Sequence, residues 1–68
     1  MSYQNIRDEL IVRLKSIYNN RDFVVGVLSN AQHPDDRRQI IDYIDAGNEV
    51  TIENIILLSI HLDQKRND

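Results

Sequence analysis

The chain has no cysteine and no tryptophan, and only one proline and two glycines. Without cysteine there is neither a disulfide framework nor a thiolate metal site, so packing alone must hold the fold together. The glycines stand apart at positions 26 and 47, which excludes a glycine-rich phosphate loop. Long apolar runs are missing too. The longest uncharged apolar tract, FVVGVL from Phe23 to Leu28, is far too short to span a bilayer. The start, MSYQNIRDEL, lacks the basic residues and apolar stretch of an export signal, so a cytoplasmic chain is expected. Positive charge is not in excess either, with 8 Lys and Arg against 11 Asp and Glu. The net charge of −3 argues against generic affinity for nucleic acid or an anionic membrane. Repeats and linker-like segments are also missing, and residues 1–68 read as a single helical domain.

What is present is helical periodicity. Tyr3, Ile6, Leu10, Leu14, Ile17 and Tyr18 recur at i, i+3, i+4 and i+7 spacing, with Ser2 as the expected cap. Val12 falls on the polar side of this helix and is its one misfit. Asn19 and Asn20 read as a break, with Asn20 capping the next helix. The segment RDFVVGVLSNAQ carries two signals. Phe23, Val24 and Val25 favour a strand, yet no partner strand exists in the chain, and Phe23, Val24, Val27, Leu28 and Ala31 share one helical arc. A helix is expected there. Pro34 suits a first helical turn, Asp35 and Asp36 complement the helix dipole, and Gly47 offers a carboxy-terminal cap.

The last segment, TIENIILLSIHL, contains seven Ile or Leu in twelve residues. Thr51 is its natural cap, with Val50 and Ile55 placed to form a hydrophobic staple across it. Ile52, Ile55, Ile56, Leu57, Leu58, Ile60 and Leu62 spread around most of the helical wheel. Only an arc holding Asn54 and His61, with Lys65 close by, is free of large apolar groups. A helix apolar on most sides is expected to be buried, wrapped by the other three or covered by a second copy of the chain.

Chemistry-bearing patterns are sparse. His33 and His61 belong to no spaced ligand set and read as exposed residues. Asp42, Asp45, Asn48 and Glu49 lack the order of a calcium loop. The serines have no nucleophile-elbow context, and Asp35 and Asp36 are explained by the helix start they occupy. No catalytic residue, metal site, cofactor or small-molecule substrate is therefore expected, and no enzyme. Arg13, Arg21, Arg37 and Arg38 read as solvated side chains, each able to anchor a contact. A helix-turn-helix regulator is the alternative reading of RRQIIDYIDAGNEVTIENIILLSIHL. The first turn after Thr51 nevertheless offers Glu53 and Asn54 followed by aliphatic residues, where base readout wants Arg, Lys, Asn or Gln.

The sequence thus predicts an all-α domain, a small bundle of four short helices near 3–19, 21–31, 34–46 and 52–65. The last helix is expected to be the central core element, and 66–68 a frayed tail. The function expected is non-enzymatic protein–protein interaction, with self-association as a homodimer or binding to a protein partner. Val12, Leu57, Leu58 and Ile60 are the candidate interface residues, because they point away from the faces that three short neighbours can cover.

Overall fold

The computed structural model describes residues 3–67, with side chains from residue 5 onward. Four α-helices make it up: α1 (Tyr3–Ile17), α2 (Arg21–Asn30), α3 (Pro34–Asp45) and α4 (Ile52–Asn67). They pack as the all-α bundle expected, and no strand is present among the described residues. The expected cap at Ser2 lies outside the described residues.

The helix boundaries follow from local chemistry. Asn20 adopts an extended conformation and its side chain accepts the Phe23 N–H at 3.1 Å, so α1 stops short of the Asn pair and α2 starts after it. Phe23 to Leu28 is therefore helix, as the missing partner strand requires. Pro34 occupies the first turn of α3 with His33 as its cap. At the other end of α3 the Ala46 N–H donates to the Asp42 carbonyl at 2.9 Å, and Gly47 turns the chain out at φ 85°. That left-handed backbone suits glycine and penalises residues bearing a Cβ. Thr51 caps α4, its hydroxyl accepting the Asn54 N–H at 3.0 Å.

The core draws on every helix: Leu10 and Leu14 from α1, Phe23, Val24 and Val27 from α2, Ile40 and Ile41 from α3, Ile55 and Leu62 from α4. α1 packs mainly on α3 and α2 mainly on α4, with lighter contacts between α3 and α4 and between α1 and α2. α1 and α4 therefore lie diagonally across the bundle. Arg13 fixes one end of the α1–α3 pair, donating from Nε and Nη2 to the two oxygens of Asp45 at 2.9 and 2.8 Å.

Two expectations about the last helix need correction. α4 is a core element on one face only, through Ile55, Ser59 and Leu62, and is not wrapped on most sides. Its neighbours explain this: α2 has only ten residues and covers one flank, α3 lies lightly along another, and α1, diagonal to it, barely touches it. The helix also runs past the end expected at residue 65. It continues to Asn67, because Arg66 in its last turn is held by the buried carboxylate of Asp36. Asp68 lies outside the described residues.

Candidate interaction surfaces

The turn of α4 that faces the core carries a small polar residue between two large ones. Ser59 is fully buried between Ile55 and Leu62, donates to the Ile56 carbonyl at 2.7 Å and accepts the Asn30 side-chain amide of α2 at 3.2 Å. This contact lets α2 sit close against one side of α4. Leu58, on the same half of the helix, is half-buried against the core.

The opposite half is open. Ile52, Ile56 and Ile60 follow one another at i, i+4 and i+8, and are 39, 37 and 38% exposed. Leu57 is 55% exposed and neighbours Ile60 at i+3. Together they form one unbroken aliphatic ridge along the outside of α4, roughly 300 Å² of apolar surface, a size at which exposed patches on small proteins are often functional. Its edges carry the exposed side chains of Glu53, His61 and Gln64. At the amino-terminal end, the amide of Asn54 is taken up by the Glu49 carbonyl at 3.3 Å, and the first turn presents no basic side chain.

The four candidate interface residues do not form one surface. Leu57 and Ile60 lie on the α4 ridge. Leu58 turns inward beside the core. Val12 is 64% exposed on α1, the helix diagonal to α4, where it lines a shallow groove with Ile17, Ile44 and Val50. Two ridge residues, Ile52 and Ile56, were missed because a helix apolar on most sides gives no internal sign of which side its neighbours take. Their 52–56–60 spacing, the steepest row on a helix surface, was the available signal.

Several polar groups elsewhere are locally engaged. Asp45 is bound by Arg13, whose hydrogen bonds hold its carboxyl below the usual carboxylate range, and the Asn48 amide donates to the Tyr43 carbonyl at 2.9 Å. His33 is exposed as expected and also caps α3, its Nδ1 accepting the Asp35 N–H at 3.1 Å, which places the ring proton on Nε2. His61 is exposed on α4. Among the described residues no three His, Cys, Asp or Glu side chains group to hold a metal ion, and no helix is long and apolar enough to cross a membrane. No family model matches the chain, and no curated protein or solved structure proves similar to it.

Proposed function

We propose that this chain is a non-enzymatic, cytoplasmic protein–protein interaction module that pairs with a second copy of itself through the outer ridge of α4. The observation that carries this reading is the ridge itself. Ile52, Ile56, Leu57 and Ile60 lie side by side in water, while among the described residues only ten form the buried hydrophobic core. Water contact on so much aliphatic surface is costly at about 25 cal/mol per Å², and a second ridge removes it.

The ridge suits an isologous contact, the commonest way in which identical chains associate. An antiparallel crossing of two α4 helices sets Ile56 of each copy beside Ile60 of the other. The same crossing brings Glu53 to Gln64 of the second copy, so neither rim meets a like charge. The apolar patch is well below the roughly 800 Å² per partner of a standard stable interface, so the dimer is a weak one, dissociating in the micromolar to millimolar range. Sedimentation velocity across that range tests the reading. A sedimentation coefficient that rises with concentration supports it, and a single monomeric species throughout removes it.

A further inference from the structure

Three helices other than α4 leave a shallow cleft lined by Arg7 of α1, Val25, Leu28 and Ser29 of α2, Gln32 in the loop after it, and Arg37 of α3. Its two cations have few acidic partners. Among the described residues Arg37 has no carboxylate within salt-bridge distance, and Arg7 has only its exposed sequence neighbour Asp8, at 3.7 Å. In a chain with 11 acidic residues against 8 basic ones, two arginines that line one cleft with no acid in its lining are an electrostatic cost that the fold retains.

Arg37 is also held in place. Its Nε donates to the carbonyl of buried Ala31 at 2.7 Å, which fixes the plane of the guanidinium and leaves the terminal nitrogens for another acceptor. Partial burial, and after it the nearby charge of Arg7, push its pKa down, so both of its surroundings disfavour the cation that it carries. At the rim of the cleft the Gln32 amide donates to the Ser29 carbonyl at 3.0 Å. Val25, half exposed, and Leu28, half-buried, give the cleft an apolar wall beside the two cations.

We propose that Arg7 and Arg37 form a receptor for a side-chain carboxylate of a partner polypeptide, with Val25 and Leu28 taking an aliphatic residue next to it. A carboxylate bridging two guanidinium groups forms paired charge-assisted hydrogen bonds and removes their mutual repulsion. A single carboxylate fits better than a polyanion, because the net charge of −3 repels an extended chain of phosphates while one acid meets only the local field. The site uses α1, α2 and α3, so it stands or falls independently of pairing through α4.

The test is an NMR titration of the full chain with a short end-blocked peptide bearing one glutamate beside a leucine. The same peptide with glutamine, and inorganic phosphate, form the comparison arms at matched ionic strength. The expected result is saturable shifts at Arg7, Val25, Leu28 and Arg37, including the arginine Nε–H signals, with affinity reduced about tenfold for the glutamine peptide. Arg7→Gln, an exposed change, weakens binding similarly, and Arg37→Gln does so if its spectrum shows the native fold. Equal affinity for the two peptides, unchanged affinity in Arg7→Gln, or saturable binding of phosphate without binding of the glutamate peptide overturns the proposal.

Discussion

Asp36, buried in the first turn of α3, is met by the guanidinium of Arg66 in the last turn of α4, thirty residues further along the chain. The carboxylate sits where the α3 dipole favours negative charge, yet burial would penalise it without a cation. Arg66 remains partly exposed, so the pair closes the end of the bundle from outside. The hydrogen bond to Asp36 also raises the Arg66 pKa further above its already high ordinary value.

This pair sets the first prediction. Arg66→Met removes the cation and leaves the Asp36 carboxylate buried alone, so thermal stability falls and amide protection in the last turn of α4 is lost first. Adding Asp36→Asn to that background recovers much of the loss, because the uncompensated charge is gone. Additive losses in the double variant would show that the two side chains act separately.

Ser59 gives a second. Ser59→Ala leaves the Asn30 amide without its acceptor and costs about 1 kcal/mol in urea denaturation. Ser59→Leu forces extra carbon atoms between α4 and α2 and costs more, about 1–3 kcal/mol. A stabilised Ser59→Leu variant would mean that α2 packs on α4 loosely enough to leave room for the larger side chain.

Adjacent leucines separate core from ridge. Leu58→Ala empties space beside the core and destabilises the monomer by about 2 kcal/mol, less than a fully buried leucine would cost. Leu57→Ala, on the open side, stays within about 0.5 kcal/mol of the parent at high dilution. Equal effects at the two positions would contradict the orientation of α4.

The Arg13–Asp45 pair makes stability depend on acid. The folded-state pKa of Asp45 is lowered, first by its hydrogen bonds from Arg13, so its contribution is present above the ordinary carboxylate value. It is lost as pH falls through the folded value. Urea midpoints measured downward from about pH 5 should therefore fall more steeply in the parent than in Arg13→Gln, where Asp45 titrates normally. Parallel profiles would show that the pair contributes nothing in solution.

Much of this architecture was legible in the sequence because its signals are local. Asn20, Pro34, Gly47 and Thr51 act on backbone groups within three or four residues of themselves, and each sits at the helix end it was expected to form. The inward Ile6, Leu10, Leu14 and Ile17 of α1 and the misplaced Val12 were legible for the same reason, whereas Tyr18, expected on the same stripe, lies past the helix end and is exposed. What could not be read depended on partners far along the chain. Asp36 is buried because Arg66 reaches it, and Ser59 because Asn30 does, and no spacing within either helix announces such a pairing. In α4 the pattern itself was uninformative: with aliphatic residues on most sides, only the placement of α2 and α3 decides that Leu58 packs inward while Ile52, Ile56, Leu57 and Ile60 stay outside.

The most direct test of the α4 ridge as a contact surface is a dilution series of the full chain monitored by amide chemical shifts, from millimolar to low micromolar protein. Pairing through the ridge predicts concentration-dependent shifts at Ile52, Glu53, Ile56, Leu57, Ile60 and Gln64, none at Val12 and its groove, and their disappearance in Leu57→Lys/Ile60→Lys. Spectra that do not change with concentration, or changes centred on Val12, Ile17 and Ile44 instead, would contradict it.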